Sequence, residues 1–257
     1  MIPNPIRKVL STLSTHEVRC LLMGGQACVL YGGAEFSRDT DLVVLSEPAN
    51  LDRLRAAMRG LRAERIAVPD LSQEHLQRGH AVHFRCRHPD VDGIRIDVMS
   101  VLRGVAPFED LWRRRTTVTL DEGPACEVLA LPDLVRAKKT QRDKDWPMIR
   151  RLIEAHYAQH QAAPSEEQVD FWFAEARTPS MLIDLAERFP ERAHRISCER
   201  SAVAPAINRD ADAVEAALED EERHERHLDR QYWKPLRTEL EAMRHAAARR
   251  GMSEREK

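Results

Sequence analysis

Long apolar runs are absent from the 257-residue chain. No stretch approaches the roughly 18 consecutive apolar residues needed to cross a bilayer, and the first residues lack the basic-then-apolar layout of a signal peptide. The expectation is a cytoplasmic protein with no membrane contact. Cysteine is scarce: Cys20, Cys28, Cys86, Cys126 and Cys198 are scattered and never form a C-x-x-C pair. That excludes a disulfide framework and a zinc knuckle, and leaves reduced, small core residues. Net charge is small too, with 40 Lys+Arg against 42 Asp+Glu and a formal charge of −2 at pH 7. No global positive field marks the chain for nucleic acid or a membrane surface, so any such contact must be local. What remains, 42% hydrophobic residues, suffices for a catalytic domain of ordinary size with a smaller appendage.

The two halves differ in character. Residues 161–257 carry 16 Lys+Arg against 21 Asp+Glu, whereas residues 1–160 carry 24 against 21. The first part mixes short β-like runs with helical patterns; residues 165–250 show helical spacing almost throughout, after a polar break at 159–165. The expectation is therefore an α/β (α+β) domain over 1–160, a small mixed sheet flanked by helices, followed by an all-helical domain over 161–257. Within the first, helices are expected at 4–13, 26–31, 48–61, 71–78, 132–141 and 146–156, and strands at 18–23 and 41–45. Residues 81–87 and 94–101 flank the turn-forming segment His88-Pro89-Asp90-Val91-Asp92-Gly93 and read as an antiparallel hairpin. A smaller hairpin is expected from 118–120 and 127–129. In the second domain, helices are expected at 166–176, 180–188 and 211–230, then a separate one from Pro235 to Arg249, with a frayed polar tail at 251–257.

Chemistry concentrates in three aspartates. Asp39 and Asp41 flank one residue at the mouth of a strand, and alternation sends both carboxylates to the same side while Leu42 and Val44 face the core. Two like charges so close repel unless a cation sits between them, an arrangement suited to a divalent metal. Asp97 lies within Gly93-Ile94-Arg95-Ile96-Asp97-Val98-Met99, where Ile94, Ile96 and Val98 share one face and Arg95, Asp97 and Met99 the other. An acid inside a strand is disfavoured by propensity. If that strand neighbours the one bearing Asp41, three carboxylates converge, enough to hold two hard cations about 3.5–4 Å apart.

Gly24-Gly25, thirteen intervening residues, Asp39-Thr40-Asp41-Leu42 and the later strand acid Asp97 together resemble the DNA polymerase β-type nucleotidyltransferase superfamily. The resemblance covers about residues 18–156. It implies that Asp39, Asp41 and Asp97 bind two Mg2+ ions that grip a nucleoside triphosphate, Asp97 also serving the acceptor hydroxyl. The glycines suit that role because a backbone without Cβ atoms can approach a triphosphate, with a helix N-terminus directly behind. Ser37 stands where the pattern has Ser or Thr, and Arg38 adds a phosphate contact. Two positions depart from the pattern: Gly25 replaces a common Ser, and Thr40 replaces an aliphatic residue.

A second block, Leu131-Pro132-Asp133-Leu134-Val135-Arg136-Ala137-Lys138 followed by Arg142-Asp143-Lys144-Asp145, is similar to a stretch of small nucleotidyltransferase-like proteins that include the AbiEii-type toxins. Only six of the forty basic residues are lysines, yet Lys138, Lys139 and Lys144 fall within seven positions. Lysine is a compact, flexible charge suited to polyphosphate. Lys138 and Arg142 are expected four apart on one helix face, at the triphosphate; Lys139 and Lys144 read as a solvated face, with Asp145 capping the next helix. The resemblance implies transfer of a nucleoside monophosphate from an NTP to an acceptor, which the sequence leaves open among RNA (a tRNA end), a protein side chain and a small molecule; an antitoxin partner belongs to the same implication. A nucleotide-binding or partner-binding module without catalysis and a metal-dependent phosphohydrolase are the alternatives. His80, His83, Cys86 and His88 do not share a strand face, His224 and His227 read as a solvated helix face, and Arg113-Arg114-Arg115 is a weak polyanion signal. Phe171 and Trp172 are assigned to the helical core.

Overall fold

The computed structural model describes residues 4–119 and 125–255, with side chains through Arg249. The chain divides into two compact units, Met1–Leu30 with Phe36–Ala137 and Gln231–Lys257 in one, and Tyr31–Glu35 with Lys138–Arg230 in the other. The boundary read from the sequence, between residues 160 and 161, falls instead at the end of a helix inside the second unit.

The first unit is built on a seven-stranded mixed sheet, the α/β class that the sequence pattern indicates. After helix α1 (Asn4–Thr15), strand β1 (Cys20–Met23) runs straight into helix α2 (Gly24–Leu30), followed by β2 (Thr40–Val44) and helix α3 (Pro48–Gly60). Strand β3 (Glu64–Arg65), helix α4 (Gln73–Arg78), β4 (Val82–Arg85) and β5 (Arg95–Met99) come next. Helix α5 (Phe108–Arg113), β6 (Thr116–Val118), β7 (Cys126–Val128) and helix α6 (Leu131–Lys138) complete this stretch. The strand order is β3-β4-β5-β2-β1-β7-β6. β2 lies between antiparallel β1 and parallel β5, so both of its edges are hydrogen-bonded; Leu42, Val43 and Val44 are all buried. On β5 alternation survives: Ile96 and Val98 are buried, while Arg95, Asp97 and Met99 keep access to solvent.

Both expected hairpins are present, β4–β5 and β6–β7, each antiparallel; Leu120, assigned to the second, lies outside the described residues. The two-residue β3 and the helix α5 were not anticipated, being too short for periodicity to register. Among the described residues no cysteine forms a disulfide; Cys28, Cys86 and Cys126 are buried, whereas Cys198 is exposed.

The second unit is helical: α7 (Asp145–His160), α8 (Glu166–Glu175), α9 (Pro179–Arg188), α10 (Pro190–Ile196), α11 (Val203–Ile207) and the first part of α12 (Ala211–Arg255). Ser165 and Gln168 close a reciprocal capping box at the start of α8. Its core holds Trp172 and Phe173, both fully buried, with the Trp172 indole N–H donated to His156 Nδ1 at 2.9 Å. Phe171, expected beside Trp172 in the core, is only half-buried; Phe173 takes that place. The two helices expected at 211–230 and 235–249 are one, with Pro235 inside it. A proline removes one backbone donor from a helix but does not necessarily end it when the turns on either side are held. No helix of the described residues is long and apolar enough to cross a membrane.

Candidate active site

The site grows from the junction of β1 and α2. Gly24 has φ +66°, the left-handed region, and a Cβ placed there would fall 1.8 Å from Asp41 Oδ2. Only glycine lets the Asp41 carboxylate lie against this turn. At Gly25 a Cβ would meet Ser37 Oγ at 2.4 Å, and Gln26 Nε2 donates to the Ser37 carbonyl at 2.7 Å. The glycine turn and the segment leading into Asp39-Thr40-Asp41 are thereby stitched together. Thr40 is fully buried, while Asp39 is exposed and Asp41 half-buried, as alternation along the strand requires. Beside them, the Arg38 guanidinium carbon stands 5.9 Å from the centroid of the exposed Phe36 ring.

The third acid arrives by register. In the parallel β2–β5 pair Asp41 is directly opposite Asp97, and in the antiparallel β4–β5 pair His83 is directly opposite Asp97. Neighbours in register project to the same face of a sheet, so Asp41, Asp97 and His83 form one row across three strands. Asp97 Oδ1 accepts from Arg95 Nε at 2.7 Å and from His83 Nδ1 at 2.8 Å. Burial pushes the Asp97 carboxyl up, but the hydrogen bonds from His83 and Arg95 outweigh it and hold the group below the usual carboxylate range. The Arg95 guanidinium is raised in turn, by its bond to Asp97 first and also by the charges of Asp39 and Asp41.

These donors are carboxylate oxygens, the ligand type that hard divalent cations take, and the missing Cβ of Gly24 is what lets the Asp41 carboxylate take its place there. In kind, therefore, the three aspartates fit magnesium. Their arrangement is a different matter: among the described residues no group of three His, Cys, Asp or Glu side chains is gathered to hold a metal ion. A guanidinium already stands at Asp97.

Lys138 and Arg142 are drawn elsewhere. Helix α6 stops at Lys138, so Arg142 lies beyond it in the link to α7, and the expected shared helix face does not form. Both side chains converge instead on Asp145, which is fully buried and accepts from Lys138 Nζ at 3.1 Å, Thr140 Oγ1 at 2.6 Å and Arg142 Nε at 2.7 Å. Burial raises the Asp145 carboxyl, and Lys138, Thr140 and Arg142 more than reverse that. Asp145 is the first residue of α7 rather than its cap, and Lys139 pairs with Glu175 at 2.8 Å.

The features set aside on sequence grounds disperse in the same way. His80 bonds Glu239, His83 bonds Asp97, Cys86 is buried, and His88 Nδ1 accepts from the Asp90 backbone. His224 and His227 are exposed. The Arg113-Arg114-Arg115 run is spent on Asp110, Asp133 and Glu127 respectively. What sequence reasoning missed at the site is Arg95 and His83. Their signal was present in the alternation of Arg95 with Asp97 and in the hairpin that carries His83, but only the register of that hairpin sets His83 opposite Asp97.

No family model matches the chain, and no curated protein matches it. Among solved structures it is similar to one from H. pylori described as a "putative nucleotidyltransferase", with 15% identity and a TM-score of 0.40 over 84% of this chain and 94% of that one. At that distance the reading of the site rests on its own geometry.

Proposed function

We propose that the protein is a nucleotidyltransferase, moving a nucleoside monophosphate from an NTP to an acceptor hydroxyl. The observation that carries this reading is the register that sets Asp41 beside Asp97, with the Asp41 carboxylate laid on a glycine turn that no other residue could form. Asp39, Asp41 and Asp97 would hold magnesium, which when bound neutralises charge on the reacting phosphates. The Gly24–Gly25 turn, Ser37 and Arg38 line the approach for the triphosphate. In the transfer, the acceptor oxygen bonds to the α-phosphorus, the bond from that phosphorus to the α,β-bridging oxygen breaks, and pyrophosphate leaves with its electron pair. The acceptor proton passes to solvent or to a carboxylate. A carboxyl held below its usual range is a weak base but a dependable anion, so Asp97 acts here by charge and orientation. Lys138 and Arg142 are left outside the proposed site because Asp145 engages both.

The test is incubation of the protein with each α-labelled NTP, magnesium and cell extract, followed by separation of RNA, protein and small solutes. Label in one fraction names the acceptor class, and Asp41→Asn should reduce it to background with an unchanged melting curve. Transfer that survives Asp41→Asn refutes the assignment. A binding module without catalysis is the second reading, favoured by the grip of Arg95 and His83 on Asp97; magnesium-dependent NTP binding with no labelled product in any fraction would select it.

A further inference from the structure

Carboxylates brought together on one face of a sheet repel unless a positive charge stands among them. The chain supplies that charge itself. Arg95 precedes Asp97 by two residues on β5 and so shares its face. Its Nε lies 2.7 Å from Asp97 Oδ1, and the charges of Asp39 and Asp41 act on the same guanidinium. His83 donates to that same oxygen at 2.8 Å, so both donors use Oδ1. The Arg95 side chain is 38% exposed, which leaves it free to turn toward solvent, whereas Asp97 at 17% is fixed among its strands.

We propose that Arg95 is a tethered counter-ion: it holds the cation seat of Asp39, Asp41 and Asp97 until a divalent cation arrives with its nucleotide, and swings off Asp97 to admit them. This rests on the nucleotidyltransferase reading and adds to it a coupling between cation and nucleotide. A free cation must displace the guanidinium and leave it with no new anion. A cation carried on a triphosphate displaces it and offers phosphate oxygens, which the planar guanidinium fork binds well. Arg95 therefore disfavours the bare cation far more than the cation with NTP, and the two ligands bind cooperatively.

The experiment is Mn2+ titration of the full chain, followed by the loss of the free-ion spin-resonance signal, with and without each NTP. It compares the unaltered chain with Arg95→Ala and Arg95→Gln, the second keeping the stem of the side chain should the first fold poorly. Removal of a unit charge next to a cation seat predicts bare Mn2+ binding at least about tenfold tighter in both variants. The tightening that NTP confers on Mn2+ should shrink in both. Asp41→Asn should abolish the uptake. Equal or weaker bare Mn2+ binding in both variants, with uptake that still requires Asp41, overturns the role of Arg95 and leaves the proposed function standing. No Mn2+ uptake by any of these chains, with or without NTP, overturns the cation reading itself.

Discussion

Gly24 shows how a single position can commit a turn to one chemistry. Its φ of +66° is open to glycine at no steric cost, and the space that its missing Cβ leaves is taken by the Asp41 carboxylate. Gly24→Ala therefore meets two penalties. The left-handed conformation alone costs an alanine about 1–2 kcal/mol, and the new methyl, 1.8 Å from Oδ2, must drive Asp41 off the turn. We expect a loss of at least about 1–2 kcal/mol in chemical denaturation, together with Mn2+ uptake and label transfer as low as in Asp41→Asn. Gly25→Ala differs in that no positive φ is involved, its Cβ meeting Ser37 Oγ at 2.4 Å and Ser37 Cβ at 2.8 Å. A Gly24→Ala chain as stable as the original, with full Mn2+ uptake, would show that the close approach at Asp41 is not needed.

Between elements, one carboxylate ties the later part of α12 to α4 within the first unit. Glu239 of α12 accepts from Arg78 Nε, shared between its two oxygens at 3.0 Å, from Arg78 Nη2, and from His80 Nε2 at 2.9 Å, at the end of α4. A carboxylate cannot donate, so Nε2 carries the proton; the other ring nitrogen, Nδ1, is buried with no hydrogen-bond partner among the described residues. Between these residues Gly79 has φ +102°, and a Cβ there would meet the Tyr232 hydroxyl at 2.9 Å. The Arg78 and His80 bonds hold the Glu239 carboxyl down at about 2, against 4.5 unperturbed. A lowered folded-state value stabilises the fold above the unfolded value and ceases to do so as pH falls through the folded one. The urea midpoint of Glu239→Gln should therefore lie below that of the unaltered chain from pH 5 to 8. That gap should close as pH drops from about 4.5 toward 2. A gap that is constant with pH would rule out the ion pair as its source.

Legibility followed the same scales. Alternation along a strand and the turn chemistry of residues 88–93 are local, so they gave the three acids, the face they share and the hairpin that carries Asp97. The direction taken by Arg95 was not local: it depends on which strand lies alongside β5 and in what register. Lys138 and Arg142 were misplaced because one helix was read through residue 141, where Thr140 and Asp145 in fact gather the chain into a polar link. Pro235 was read as a helix start because proline favours the first turn, yet the helix continues through it.

At the scale of the whole molecule the question is which residues need which others to fold. A cut after residue 160, where the sequence changes character, would end the chain at the last residue of α7, whose Trp146, Ile149, Leu152 and Ile153 are buried. Those side chains belong to the unit of residues 31–35 and 138–230, and fragment 1–160 would keep only the smaller part of it. Burying an apolar side chain is worth about 1.5–3 kcal/mol, so four amount to roughly 6–12 kcal/mol, against a total stability of about 5–15 kcal/mol. The same cut removes Leu236 and Glu239, which belong to the first unit. We therefore expect fragment 1–160 to lack a cooperative thermal transition by circular dichroism and to bind an apolar dye, while the full chain melts cooperatively. A sigmoidal melt of the fragment near the temperature of the full chain would show that the sheet and its aspartates fold without residues 161–257, and would restore the boundary at 160 as a true domain limit.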